Sequence, residues 1–478
     1  MNAATPFALS RAADASLTEQ LSARFAERIQ QRLLLPGARL PSVRECARRH
    51  GVSPTTVVAA YDQLLAQGLV EARRQRGFFV REPRGQAAPA RPAAAPDAAA
   101  RPRPVDATAL IRGMFHQGSS LPAPGMGTLP AEWLDLPLLH AALRRAMAAE
   151  AGRRHGASSL QYGDPAGDPG LRQALVHRLA DLGIACGAGQ IVTTMGATHG
   201  LDVVSRALLQ PGDAVLVDEP GWAVEYARLT RLGVRLLPVP RGPDGPDLAV
   251  MRQLLTAHRP RLYATVSVLH NPTGCSLPLA AAHQVLKLAE AHDLLIVEDD
   301  TYVHLAPPHL PRLAALDGLQ RTIYISGFSK ILAPNWRVGF IAAAPALAER
   351  FIDMKLLSTL TTPALPEQAI AWCITQGQLR RHTERVAAQL DVARARSQHL
   401  ALRAGCRFVT PPQGLFGWVD VGMDTERLAQ RMLDDGWLLA PGTLFHATPR
   451  PTSLMRINFA TSQDARFWQA LQTAREGA

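Results

Sequence analysis

Only three lysines occur in this chain of 478 residues, at positions 287, 330 and 355, although lysine and arginine together number 51. Lys287 lies in "PLAAAHQVLKLAEAHD" and Lys355 in "ERFIDMKLLSTL". Both runs have helical spacing, and Lys287 is expected on an exposed face. Lys330 differs, because it closes "RTIYISGFSK", an apolar run that reads as a buried strand. An amine at the carboxyl end of such a strand suits carbonyl chemistry. Desolvation and nearby cations lower its pKa toward the neutral nucleophile. Other apolar runs also end in polar groups: Asp299, Asp300 and Tyr302 in "LLIVEDDTYVHL", Asn271 in "LYATVSVLHNPTG" and Trp222 in "AVLVDEPGWAVEY". "GQIVTTMGATHGLDVVSRAL" reads strand, small-residue turn, helix. Gly196, Ala197 and Thr198 can there offer backbone N–H groups and a hydroxyl to an anion at a helix N-terminus. Arg337 follows Lys330 after seven positions.

Polar groups collected at strand ends are where parallel α/β sheets build sites. The chain from residue 110 to 478 is therefore expected to be an α/β body. Residues 1–80 have a different pattern. Leu17, Leu21, Phe25 and Ile29 recur at helical spacing. Ser42 can cap a short second helix through Arg49, and Ser53 a third, with Pro54 at its first position. The spacing is that of a helix-turn-helix, with Gly51 at the turn. Two short strands are expected after it, Leu69–Ala72 and Phe78–Val80, around a basic tip of Arg74, Gln75, Arg76 and Gly77. Residues 81–109, rich in Ala, Pro and Arg, read as a linker, and Pro-rich linkers span about 3.1 Å per residue.

Net charge is +11. Residues 1–104 hold sixteen arginines and eight acidic residues, so +8 of it is concentrated there. A genome that prefers arginine to lysine does not explain that uneven placement, whereas a nucleic-acid module at the N-terminal end fits it. The five cysteines are scattered, with neither zinc nor disulfide spacing. Without an apolar run near 20 residues, and without a signal-peptide layout at the start, a soluble cytoplasmic protein off the membrane is expected.

The stretch "LPSVRECARRHGVSPTTVVAAYDQLLAQGLVEARRQRGFFV" resembles the GntR-type winged helix. The resemblance implies DNA contacts from Arg44, Ser53, Thr55, Thr56 and Gly77, and Arg76 of the basic tip is a further candidate. Ser53 has a second reading as a helix cap, and Arg44 and Arg76 as solvated charges. The family often carries arginine where this chain has Pro54.

The order "YGDPAGDPGLR", "MGATHG", "DEPGW", "HNPTG", "EDDTY", "SGFSK" with Arg337, and "LMRINFA" resembles the fold-type I aminotransferases, over roughly residues 110–475. Those proteins use pyridoxal 5'-phosphate (PLP). The resemblance implies that Lys330 bonds the PLP aldehyde, that Asp299 pairs with the ring nitrogen, that Asn271 and Tyr302 hold the phenolic oxygen, and that Trp222 stacks on the ring. Gly196, Ala197, Thr198 and Arg337 would hold the phosphate, and Tyr162 would reach the phosphate of a partner subunit. Arg456 would clamp a substrate carboxylate. Read as structure alone, Trp222 is core, Asn271 a turn former and Arg456 the partner of a structural carboxylate. Gly327 stands where the family usually has Ser or Thr.

Winged helix, linker and aminotransferase-like body in this order resemble the MocR/GabR-type regulators. The resemblance implies a head-to-tail homodimer on operator DNA that senses a small amino compound through PLP. Two other readings stay open: a working transaminase, and a sensor of PLP itself.

Overall fold

The computed structural model describes residues 9, 15–30, 34, 36–73, 76–81, 122–151 and 161–476. Most of the expected linker, and Arg74 and Gln75 of the basic tip, lie outside the described residues. The chain divides into two compact units, Met1–Pro122 with Glu426–Trp437, and Ala123–Thr425 with Leu438–Ala478.

In the first unit, helices α1 (Leu17–Gln30), α2 (Val43–His50) and α3 (Pro54–Ala66) enclose a small core of Leu21, Phe25, Cys46, Val57, Tyr61 and Leu64. Fully burying each such leucine or phenylalanine stabilises by about 1.5–3 kcal/mol. Ser42 Oγ accepts the N–H of Glu45, and Ser53 Oγ that of Thr56, so both caps form. The phenol of Tyr61 donates to the Pro41 carbonyl at 2.9 Å and ties α3 to the turn before α2. Strands β1 (Val70–Arg73) and β2 (Gly77–Val80) pair antiparallel. The last pair is Arg73 with Gly77, so the ladder runs one residue nearer the tip on each strand than the apolar pattern predicts. Main-chain pairing continues where the side chains have become exposed.

The second unit is built on an eight-stranded sheet. Its strands are β3 (Ile191–Thr194), β4 (Ala214–Glu219), β5 (Arg235–Gly242), β6 (Gly245–Pro246), β7 (Leu262–Thr265), β8 (Leu295–Asp299), β9 (Thr322–Gly327) and β10 (Gly339–Ala342). The spatial order is β3-β10-β9-β8-β7-β4-β5-β6. β4, β5, β7, β8 and β9 pair in parallel. β10 runs antiparallel to both its neighbours. The inner strands are apolar on consecutive residues, as strands covered on both faces must be. One core, including Val192, Val204, Val217 and Phe351, and a second, including Leu216, Met251, Val285 and Ile296, meet that need. A smaller antiparallel sheet follows, ordered β11 (Arg407–Phe408), β12 (Phe416–Asp420), β14 (Leu454–Asn458), β13 (Ala440–Pro441). A mostly parallel large sheet with a smaller α+β part is the architecture expected of the body.

Candidate functional site

Most of the expected residues of the body sit where strands give way to loops, and Arg456 lies within β14. Asp299 is the last residue of β8, and Lys330 lies three residues past β9. Asn271 lies in the turn beyond β7, joined to Pro272 by a cis bond. Trp222 follows β4, stands before the helix Ala223–Arg231 and packs half-buried on the first core. Gly196 stands before the helix Ala197–Leu208, after β3.

Lys330 Nζ donates to the Gly127 carbonyl at 2.8 Å. Burial pushes this amine down to about 8; the Arg456 cation and, less strongly, Arg337 act the same way, while Asp299 opposes them. Lys355 is buried too, and its amine is likewise pushed down to about 8 by burial. Its Nζ donates to two hydroxyls, Thr362 Oγ1 at 3.2 Å and Thr193 Oγ1 at 3.4 Å, while Glu367 and Asp164 oppose the lowering. Burial therefore does not single out Lys330; its company of Asp299, Arg337 and Arg456 does. Lys287 is exposed, as expected.

Asp299 Oδ1 accepts the N–H of Thr301 at 3.0 Å and also its hydroxyl. Burial raises the Asp299 carboxyl to about 6, against the lowering effect of those bonds. Its neighbour Asp300 is committed elsewhere, to Arg312 Nε at 2.9 Å and the Tyr324 phenol at 2.9 Å. Tyr302 is buried edge-on to Phe416, centroids 5.2 Å apart. Burial pushes its phenol well above the usual range. Arg456 Nη1 donates to Asn271 Oδ1 at 2.7 Å, and Nη2 to the Gly125 carbonyl at 2.7 Å. Its guanidinium lies over Phe416 and Phe445, 4.5 Å and 4.9 Å from the ring centroids. Among the described residues it pairs with an amide oxygen and a carbonyl, not with a structural carboxylate.

Gly196 has φ 77°, in the region that favours glycine, and an added Cβ would stand 2.5 Å from Arg337 Nη2. Arg337 donates to Ser329 Oγ at 3.2 Å and to the Met195 carbonyl at 3.0 Å. A helix N-terminus, a guanidinium and a hydroxyl thus converge, a donor set that suits a phosphate dianion. Gly327 has a steric reason: a Cβ there would lie 3.1 Å from the Val338 carbonyl and 3.2 Å from Gly339 Cα. The hydroxyl beside Arg337 comes from Ser329 instead, while Ser326 Oγ donates to the Asp300 carbonyl at 2.9 Å. Tyr162 is 81% exposed and joins none of these groups within the chain.

Sequence reasoning missed Gly125, Gly127, Thr301 and Asn458. One signal for Asn458 was available, since it stands two residues after Arg456 on β14, and alternate strand residues share a face.

A pH dependence follows. An amine near 8 is nucleophilic only when neutral, so its combination with an aldehyde should slow about tenfold per pH unit below that point. The rate of colour formation on adding PLP is expected to level off near pH 8; a rate still rising tenfold per unit to pH 10 would mean an unperturbed lysine.

In the first unit, Arg44, Ser53, Thr55, Arg76 and Gly77 are exposed and Thr56 is half-buried. Ser53 Oγ is engaged with the Thr56 N–H and lies 2.8 Å from Thr56 Oγ1, so capping accounts for it locally. Arg39, passed over in the sequence, bridges to Phe79 and brings its guanidinium beside Gly77.

Among the described residues no helix is long and apolar enough to cross a membrane. Nor does any group of three or more His, Cys, Asp or Glu among them suit a metal ion.

Comparison with known proteins agrees with both units. Residues 17–80 match the family described as bacterial regulatory proteins, gntR family, and residues 135–473 match aminotransferase class I and II. The HTH-type transcriptional regulator TauR of Rhodobacter capsulatus is 30% identical over 92% of this chain and 91% of its own. The probable rhizopine catabolism regulatory protein MocR of Rhizobium meliloti is 31% identical over 79% of this chain and 76% of its own. The solved structure of LysN, an alpha-aminoadipate aminotransferase of Thermus thermophilus complexed with N-(5'-phosphopyridoxyl)-L-leucine, has a TM-score of 0.70 at 26% identity, covering 77% of this chain and 94% of that one. Homologues with this fold are PLP-dependent, and a gntR-type helix-turn-helix implies DNA binding. The chain thus belongs to the aminotransferase class I and II family and, with its gntR-type head, to the MocR-like transcriptional regulators of the GntR family.

Proposed function

We propose that this regulator binds PLP at Lys330 and reads an amino acid or related amine through it. The observation that carries the reading is a buried amine pushed down to about 8 with the Arg456 and Arg337 cations and the Asp299 carboxylate bearing on it. When bound, PLP supplies an aldehyde that captures amines and a ring that withdraws electrons. Every other part is the chain's own. Lys330 offers the amine. Asp299 faces the ring nitrogen, held by Thr301. Asn271 and Tyr302 hold the phenolic oxygen, and Trp222 covers the ring. Gly196, Ala197, Thr198 and Arg337, with Ser329, receive the phosphate. Arg456 takes the effector's carboxylate with a planar fork.

In this reading residues 1–80 bind operator DNA, 81–109 link, and 110–478 sense. The protein acts as a head-to-tail homodimer in which exposed Tyr162 completes the partner's phosphate site. A dimer suits two half-sites. The effector acts by binding one conformation better than the other. Arg44, Thr55, Thr56, Arg76 and Gly77 face the DNA, with Ser53 at the start of the recognition helix. The full chain is expected to bind its own promoter region with an affinity that falls roughly a thousandfold between 50 and 200 mM salt, for about six phosphate contacts. Fluorescence anisotropy across that range checks it, and affinity indifferent to salt would count against the reading.

A second reading, a working transaminase, is favoured by the same lowered amine, because a group near 8 can exchange protons at neutral pH. Steady keto-acid production from an amino donor would establish it. Arg456, buried without a carboxylate partner among the described residues, favours an amino-acid effector over a sensor of PLP alone.

A further inference from the structure

Residues 123–128 form a strap whose carbonyls are satisfied one after another. The Ala123 carbonyl accepts the Met126 N–H at 3.0 Å, and the Pro124 carbonyl accepts the backbone N–H of Asn458 at 2.7 Å. The Gly125 carbonyl accepts from Arg456 Nη2 at 2.7 Å and Nε at 3.2 Å. Asn458 Nδ2 donates to the carbonyls of Met126 and Thr128, both at 2.7 Å. Between them, the Gly127 carbonyl accepts from Lys330 Nζ at 2.8 Å. Asn458 is itself fully buried, and its Oδ1 accepts the Ala460 N–H at 2.9 Å.

The donors fall into two kinds. Arg456 and Lys330 are the groups that ligands are proposed to claim. Asn458 is not; its amide has no task in the chemistry, and it grips the carbonyls on both sides of Gly127. With this grip the strap keeps its place when the other two donors are diverted. The grip also sets where Gly125 presents its carbonyl to Arg456, and through Arg456 Nη1 it reaches Asn271 Oδ1, 2.7 Å away. Gly125 closes the other side: a Cβ there would stand 2.4 Å from the Ala440 backbone nitrogen, so the strap lies directly against β13.

We propose that Asn458 is a positioning residue for the site: by pinning the strap on either side of Gly127 it aligns the Arg456 guanidinium and the Lys330 amine for their ligands. This deepens the proposed function and rests on PLP binding at Lys330. Asn458→Asp keeps the size and the acceptor for Ala460 but turns the strap-facing donor into an acceptor set against two carbonyls. Gly125→Ala lifts the same strap from the β13 side and leaves β14 intact.

The test uses the full chain loaded with PLP. It reads the pH midpoint of the visible absorption band and the rate of PLP loss after dilution. In both variants the midpoint is expected to move by about half a pH unit or more, because protonation at the Lys330 nitrogen, then bonded to PLP, follows its polar surroundings. PLP loss is expected to quicken roughly tenfold, the change that a weakening of one hydrogen-bonded contact brings. A residue that only stabilised the fold would lower Tm and leave the midpoint where it was. If Asn458→Asp does not fold, Gly125→Ala decides. A wild type that forms no visible band would overturn the PLP reading and this inference with it. A wild type that forms the band, with variants that titrate and release PLP as it does, would overturn the positioning role alone.

Discussion

Lys330→Ala is expected to abolish the visible absorption that wild-type protein acquires with PLP, with no residual band after gel filtration. The expectation is absolute because no other lysine has the required setting. Lys287 is on the surface. Lys355 has a similarly lowered pKa, but its Nζ is held by two threonine hydroxyls, and the charges bearing on it are Glu367, Asp164 and Arg172, not Asp299, Arg456 and Arg337. Removing the Lys330 amine also takes the donor from the Gly127 carbonyl, which costs about 1–3 kcal/mol where water cannot replace it. The variant should therefore be colourless, folded and somewhat less stable. A band of wild-type intensity in Lys330→Ala would remove the central claim.

Arg456→Ala is expected to weaken an L-amino acid about a hundredfold, near 2.7 kcal/mol, in spectral titrations of the PLP-loaded protein. The corresponding amine without a carboxylate should lose less than about threefold, since it has nothing for the guanidinium to hold. Stability should fall as well: Asn271 Oδ1 and the Gly125 carbonyl lose buried donors, each worth about 1–3 kcal/mol. Arg456→Lys should recover little, because one ammonium cannot serve an amide oxygen, a carbonyl and a carboxylate with a planar fork. Equal losses for acid and amine would show that Arg456 shapes the pocket and does not read the carboxylate.

The adjacent pair Asp299 and Asp300 shows how far spacing alone reaches. Motif spacing to Tyr302 selects Asp299. The structure adds the reason the two differ: Asp300 is ion-paired to Arg312 and bonded to the Tyr324 phenol in a fully buried network, whereas Asp299 is held by its neighbour Thr301. Ser53 illustrates the converse. Its two readings, cap and DNA contact, are both written in one residue type, and only the observed bond to the Thr56 N–H shows that the cap forms. Gly327 could be noted from the chain as a departure, yet its cause, the Val338 carbonyl and Gly339 pressed against it, comes from β10 pairing with β9.

By itself the sequence determined the helix caps, the apolar strands, the polar residues at their ends and the lone lysine among them. These are properties of side chains and of local spacing. Tertiary structure alone decided the strap. Gly127 meets an amine 203 residues away, and Gly125 a guanidinium 331 residues away. What they contribute is a main-chain carbonyl, which every residue carries and no pattern of side chains can announce. Only the approach of distant strands turns it into part of a site.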